Sequence, residues 1–518
     1  MQSQPRTRKS ISHISLRALQ ILPNTWRGRE ALPTSKGCLE IRLRMLNETV
    51  STIPASEQMR STATLDNFFN PKSVAIVGAS ATPRKLGTIV LENMALQGFK
   101  GEIFPVNPKL THIGALQCYR KISDLPVIPD LSIILIPAES VVESLKEHAE
   151  KQIKNVIVIS AGFKETGKEG ERLQDQLLAV AKQNQIRIIG PNCLGIFDNA
   201  SRIDTFFIPR SLIQRPDYGG VSLASQSGSF VGHLMDLASF EHLGISRVVN
   251  YGNRVDVDEC DVLYYFAEDP KTRVVGLYLE SITDGKKFLN AAGYCTSHKP
   301  VVVLKTGKHE SIDHALTSHT GSIAGRYTFY KAAFKKSRMI EVTSEVEFVD
   351  TCKAILSLPR ARGNRALIVG HAGGLGLTVA DLCISEGLQV PEASGDFGQS
   401  LKEGTLSYAS VTNPIDLTAS GTDDNAQFIF QRALVDSDFA DIGIYLALWG
   451  LPQNSERIGD ILSDVMKKSG KPIVVATLEG KKCVEKRFVF ESKNIPVFFS
   501  LERAVRVAKH LTEVPSYS

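Results

Sequence analysis

The chain has 518 residues, 43% hydrophobic and 22% charged, an ordinary globular composition at a length beyond what one hydrophobic core fills. Its formal net charge of +5 is modest, and no Arg/Lys-rich run with interleaved aromatics occurs, which argues against a nucleic-acid binder. No apolar run reaches membrane-spanning length, and the eight cysteines, scattered without metal spacing, fit a reducing compartment such as the cytoplasm.

Residues 1–62 differ from the rest. "MQSQPRTRKSISHISLRALQIL" is basic and serine-rich, and the first acidic residue is Glu30. The composition resembles an organellar targeting leader, which would send the protein to an organellar matrix. The alternative is a disordered extension, or an upstream start whose useful chain begins near Met45 or Met59.

From Pro71 short apolar strands alternate with helices. "SVAIVGAS" (73–80), "GEIFPVNPK" (101–109), "LSIILIPA" (131–138), "NVIVISAGF" (155–163) and "IRIIGPNCLG" (186–195) read as strands. "LGTIVLENMALQGF" (86–99) and "ESVVESLKEHAEKQ" have helical periodicity. Nearly continuous apolar strands followed by helices predict a parallel sheet covered on both faces, so 63–200 forms one doubly wound domain. A second unit, 201–360, carries "GVSLASQSG", "GISRVVNYG", "VVGLYLES" and "PVVVLKTG"; a third, 361–518, carries "RALIVGHAGG", "DIGIYLALWG", "KPIVVATL" and "IPVFF". The last two units match in size and rhythm, with too little identity to form an internal repeat. The fold class is therefore α/β.

Four places hold candidate chemistry. In "VGASATPRKLG" (77–87) Gly78 permits a tight turn, Ser80 and Thr82 offer hydroxyls, and a helix starting near Lys85 presents free backbone N–H groups to a phosphate. The spacing is not G-x-G-x-x-G, and the second strand ends in Asn107-Pro108-Lys109 rather than an acid. Both features disfavour a nicotinamide cofactor. In "SQSGSFVGH" (225–233) Ser227 and Gly228 either cap a helix or cradle an anion at its N-terminus. Glu280 ends the strand in "YLESITDG", as a site residue or a surface glutamate. His319, in "SHTGSIAG" (318–325), is either a solvated loop histidine or a phosphoryl carrier, since imidazole is nucleophilic near neutral pH.

Read in order, "FFNPKSVAIVGAS", "GEIFPVNPK", "SAGFKE", "IIGPNCLG", "SQSG", "YLES", "KTGK", "SHTGSIAG" and "NPIDLT" (413–418) resemble the motifs of the NDP-forming acyl-CoA synthetases, in the part related to the succinyl-CoA synthetase alpha subunit. The resemblance runs from about residue 66 to the end of the chain. It implies a CoA-binding Rossmann-like domain followed by two flavodoxin-like doubly wound domains. It also implies an acid–thiol ligase working through acyl phosphate and phosphohistidine. His319 is then the phosphorylated residue, Glu280 orients it, and Ser227 and Gly228 bind its phosphate. Gly78, Ala79, Ser80, Gly87, Asn107, Pro108 and Lys109 match the CoA-binding region; Ser160, Gly162 and Asn192 match loops of the same cleft. The substrates implied are CoA, phosphate and a small carboxylate such as acetate. No stretch has the length of the ATP-grasp module that binds ADP with Mg²⁺ in the family, so the resemblance implies a separate ATP-grasp beta-type subunit, met by a moving histidine loop. No metal ligand set is expected within this chain. The alternative reading is a CoA-binding sensor or scaffold, against which the retained His319, Glu280 and Ser227 argue. One departure is His371 in "VGHAGGLG" (369–376), where the family commonly has Thr-Asn: it either alters that loop or replaces a hydrogen-bonding asparagine.

Overall fold

Short, mostly buried apolar runs make the strands of three main sheets, two wholly parallel and one with antiparallel strands at its edge, in a computed structural model that describes residues 65–309, 326–451, 453, 455–478 and 480–517. The basic segment 1–62 and the loop with His319 lie outside the described residues.

The first sheet contains β1 (Ser73–Val77), β2 (Glu102–Val106), β3 (Leu131–Ile134), β4 (Asn155–Val158) and β5 (Arg187–Ile189). Its order is β2-β1-β3-β4-β5, every pair parallel. Every residue of β1, β3 and β4 is buried, as a sheet covered on both faces requires. The crossovers include α1 (Leu86–Gln97), α2 (Ala138–Glu150) and α3 (Lys168–Asn184). Helix α2 turns Val141, Leu145 and His148 inward.

The second sheet has β6 (Gly195–Asp198), β7 (Ile203–Asp204), β8 (Tyr218–Ser225), β9 (Ile245–Asn250), β10 (Val274–Leu279), β11 (Val301–Lys305) and β12 (Ile340–Val342). Its order is β12-β11-β10-β8-β9-β6-β7. Strand β6 runs antiparallel to β9, so residues 195–198, expected in the first unit, extend the second sheet instead, joined by β7. The chain changes sheets just after the Gly190–Pro191 bond. Buried Arg247 on β9 reaches Asp198 on β6 (2.9 Å) and lies over the Phe69 ring, 4.7 Å from its centroid.

The third sheet has β13 (Ala366–Gly370), β14 (Ile415–Asp416), β15 (Ile442–Leu446), β16 (Ile473–Ala476) and β17 (Val497–Phe498), ordered β14-β13-β15-β16-β17. "NPIDLT" supplies β14 and fixes its place: Asn413 accepts the Ile368 N–H (2.9 Å) and donates to the Ala366 and Pro391 carbonyls. His371 is buried and its Nδ1–H donates to the Thr418 carbonyl (3.1 Å), so it does the local hydrogen bonding open to an asparagine. Burial also lowers its pKa, keeping the ring neutral.

The five parallel strands of each unit share one order: second, first, third, fourth, fifth. This gives a Rossmann-like unit and two flavodoxin-like units, and it opens a crevice between the carboxyl ends of the first and third strands of each.

In the first unit His148 is fully buried; its Nδ1–H donates to the Ser144 carbonyl (2.6 Å) and Nε2 accepts from the Ser132 hydroxyl (2.8 Å). Burial pushes its pKa down from 6.5 to about 4. A folded value below the unfolded one means the stabilisation is fully present above pH 6.5 and fades as pH falls toward 4. The loss reaches about 3 kcal/mol below both values. Urea unfolding measured from pH 7 to pH 4 will therefore show one more proton taken up on unfolding in the native chain than in His148→Gln.

Candidate functional site

Strand order brings Ser227 and Glu280 together. Strands β8 and β10 are neighbours, so the turns leaving their carboxyl ends face one crevice. After β8, the Ser227 hydroxyl accepts the Phe230 N–H (3.3 Å) and caps helix α4 (Gly228–Phe240), whose first turn holds no acidic residue. The cap explains Ser227. It leaves the positive end of the helix without a charged partner from its own first turn. Between the two turns, Gln226 Oε1 accepts the N–H groups of Glu280 (2.5 Å) and Ser281 (2.9 Å). Glu280 is only 4% exposed, which removes the surface-glutamate alternative.

Asn250, fully buried at the end of β9, connects this edge to the first unit. Its Oδ1 accepts the Leu194 N–H (2.6 Å), and its Nδ2 donates to the carbonyls of Ser225 (2.9 Å) and Gln226 (3.1 Å). The next turn, Gly252-Asn253-Arg254, packs directly on the first unit. Gly252 has φ +51°, and a Cβ there would stand 2.3 Å from the Pro191 and Asn192 carbonyl oxygens. Asn253 donates to Glu165 (2.5 Å) and Gln174 (3.0 Å). Burial acts to raise the Glu165 pKa, but hydrogen bonds from Asn253, Gly162 and Phe163 outweigh it and hold the carboxyl below its ordinary value.

A cavity of about 450 Å³ results, walled by Leu86, Ile159, Leu194, Phe207 and Ile208. Its polar lining includes Ser160, Asn192, Gln226, Ser227, Gly228, Ser229, Asn253, Arg254 and Glu280. Of the residues predicted from sequence, Ser160, Asn192, Ser227, Gly228 and Glu280 meet here. Ser160 donates to the Ile136 carbonyl (2.5 Å), and Asn192 N–H donates to the Ser160 carbonyl (2.9 Å). Gly162 lies just outside, its N–H bonded to Glu165.

Gly78, Ala79, Ser80, Gly87, Asn107, Pro108 and Lys109 cluster at the β1 and β2 ends beside the cavity rather than in its wall, with Ala79 and Gly87 buried beneath the turns. A Cβ on Gly87 would stand 2.3 Å from the Gly78 oxygen, so α1 starts directly against the β1 turn, with Leu86 continuing into the cavity. Asn107 Nδ2 donates to the Ala79 carbonyl (2.8 Å) and Asn107 Oδ1 accepts the Lys109 N–H (2.9 Å), binding the two turns together.

Sequence reasoning missed Gln226, Asn253 and Arg254. The available signal was a polar Gly-Asn-Arg turn directly after an apolar strand. Among the described lining residues, Arg254 and Glu280 are the basic and acidic groups; burial pushes the Cys193 thiol up to about 12, so it stays neutral. Backbone N–H groups at a helix start, a buried carboxylate and an apolar wall suit an anion attached to a short acyl group. Among the described residues no set of three or more His, Cys, Asp or Glu side chains gathers as a metal site, and no helix is long and apolar enough to cross a membrane.

The Gly252 contact yields a stability test. Gly252→Ala will lower stability by about 1–3 kcal/mol. Gly293→Ala, in the interior of a helix where the new Cβ meets nothing within 4 Å, will be neutral or gain up to about 1 kcal/mol. Denaturant melts of the two variants check the contrast.

Residues 72–199 match the CoA binding domain family, and residues 218–355 match the succinyl-CoA ligase like flavodoxin domain family. The alpha subunit of the ADP-forming acetate–CoA ligase I of Pyrococcus furiosus is 32% identical over 453 residues, covering 86% of this chain and 97% of that one. The ADP-forming acetate–CoA ligase I of Archaeoglobus fulgidus is 34% identical over 443 residues; the match covers 85% of this chain but 62% of that longer protein. A solved structure of dinucleotide forming acetyl-coenzyme A synthetase 1 from Ca. Korarchaeum cryptofilum, in complex with phosphate and ADP, superposes with a TM-score of 0.79 at 31% identity, covering 87% of this chain and 96% of that one. With two domain families in register around one cavity and a third of residues shared along nearly all of an alpha subunit, the chain belongs to the ADP-forming acyl-CoA synthetases, on the alpha-subunit side of that family.

Proposed function

We propose that this chain carries the acyl-CoA and phosphate half of a reversible ADP-forming acid–thiol ligase. The observation that carries the reading is the single cavity joining Ser160 and Asn192 of the CoA-binding unit to the α4 N-terminus and buried Glu280 of the second unit. CoA lies along the surface made by Gly78–Ser80, Gly87 and Asn107–Lys109, and its thioester enters past Leu86.

In the cavity a phosphate oxygen attacks the thioester carbonyl. The C–S bond breaks, the thiolate of CoA leaves and takes up a proton, and acyl phosphate forms. An imidazole nitrogen of His319 then attacks phosphorus, the P–O bond to the acyl group breaks, and the carboxylate departs. Ser227, Gly228 and the first N–H groups of α4 hold the phosphoryl oxygens, and Glu280 orients the imidazole. The phosphoryl group passes finally to ADP.

Nucleotide and its Mg²⁺ belong, in this reading, to a separate ATP-grasp subunit. The lengths of the relatives support it: the chain spans nearly all of the Pyrococcus furiosus alpha subunit but about three-fifths of the longer Archaeoglobus fulgidus ligase. Small carboxylates, acetate foremost, are the proposed acyl group, as the names of the relatives suggest.

The test incubates the purified chain with acetyl-CoA, radiolabelled phosphate and Mg²⁺, with and without an ATP-grasp partner. Acid-labile label is expected, absent in His319→Ala, formed at least about tenfold more slowly in Glu280→Gln, and discharged to ADP only with the partner present. A chain that binds CoA yet never takes label would instead be a CoA-binding scaffold. Label persisting in His319→Ala would remove the phosphohistidine step.

A further inference from the structure

The Gly252-Asn253-Arg254 turn touches both halves of the cavity, and its arginine has no part in the chemistry described so far. Arg254 has φ +50°, an uncommon conformation for a long side chain, and its side chain is 7% exposed. Its guanidinium makes three kinds of bond. One terminal nitrogen donates to the Ser281 carbonyl (2.6 Å) and to Glu259 (3.1 Å), and the other donates to the Ser281 hydroxyl (2.7 Å). Glu259 is itself buried at the start of helix α5 (Glu259–Glu268), which begins with a capping box at Asp258. The guanidinium is thus set on a rigid base and pointed at one residue, Ser281, which directly follows Glu280.

The Glu280–Ser281 turn is gripped from two sides. Gln226 takes both of its N–H groups, from the side of the phosphate-binding turn. Arg254 takes the carbonyl and hydroxyl of Ser281, from the side that packs on Pro191, Asn192 and Glu165 of the CoA-binding unit. A planar fork satisfies three acceptors in fixed directions; a lysine ammonium keeps the charge but not that geometry.

We infer that Arg254 is a positioning residue that fixes the Glu280-bearing turn relative to the CoA-binding unit. This rests on the proposed role of Glu280, and it assigns the Gly252–Arg254 turn a function: the coupling between the place where the thioester lies and the carboxylate that orients the phosphoryl carrier. Arg254 acts through Ser281 and Glu280, and its loss costs rate more than acyl-CoA binding.

Removing the cation outright would strand buried Glu259, so Arg254→Lys is the primary variant and Ser281→Ala, which deletes one hydroxyl contact, is the second. Phosphoenzyme formation is followed against acetyl-CoA concentration, and amide exchange is measured at residues 280–282. Arg254→Lys is expected to lower the maximal rate at least about tenfold with half-saturation changed less than about twofold, and to speed exchange at 280–282. Ser281→Ala is expected to cost a smaller factor that largely disappears in the Arg254→Lys background, because the two act through one contact. A wild-type maximal rate in Arg254→Lys, an effect confined to half-saturation, or independent effects of the two substitutions would overturn the inference. If the native chain forms no phosphoenzyme, the ligase reading falls while the exchange measurement still decides the positioning role: faster exchange sustains it, unchanged exchange refutes it.

Discussion

Asn250 is the side chain on which the geometry of the cavity depends. It stands fully buried at the end of β9 and uses its amide in two directions, taking the Leu194 N–H of the loop that leaves the first unit and giving to the Ser225 and Gln226 carbonyls of the turn that starts α4. A buried amide must satisfy both of its ends, so it fixes the separation of the two backbones it bridges. The backbone contact at Gly252 closes the same junction from the other side. Two sheets with independent cores are thereby held with their carboxyl edges facing, and the cavity is what remains between them.

The third unit is attached in a different manner. Arg503 of the last helix pairs with Asp350 and Glu241, Arg487 with Glu241 and Glu491, and Lys353 with Glu491, all largely buried. His510 sits between Glu347 and Glu513. Burial acts to lower its pKa, but the two carboxylates outweigh it and raise the pKa above the ordinary value. Such a network demands mutual geometry, because any one member removed leaves a buried charge behind. It fixes the orientation of a unit whose own carboxyl edge carries His371, Asp416 and Asp423 rather than the charges of the main cavity.

The repeated strand order gives the protein three crevices of one kind and fills them differently. The first takes the glycine-rich turn stitched by Asn107. The second takes the capped helix α4 and Glu280. In the third a neutral histidine bonded to the Thr418 carbonyl occupies the edge. The same topology thus supplies a glycine-rich turn, a capped helix N-terminus beside a buried carboxylate, and an edge where a buried neutral histidine bonds through one ring nitrogen.

What the sequence determined by itself is local: apolar runs that become buried parallel strands, the glycine turn at 77–87, the serine cap at 227, and an acid placed at the end of a strand. These follow from side-chain period and turn chemistry, which act over a few residues, and they sufficed to place Ser227, Gly228, Glu280, Ser160 and Asn192 at sheet edges. Tertiary structure alone decided that residues 195–198 join the second sheet, because a four-residue strand acquires its identity from its neighbour. It alone decided that Gln226 clasps Glu280, that Asn250 takes the N–H of Leu194, 56 residues away in the chain, and that Arg254 reaches Ser281. Each of those is a polar group satisfied by a partner distant in the chain, and no periodicity records which partner burial will leave within reach.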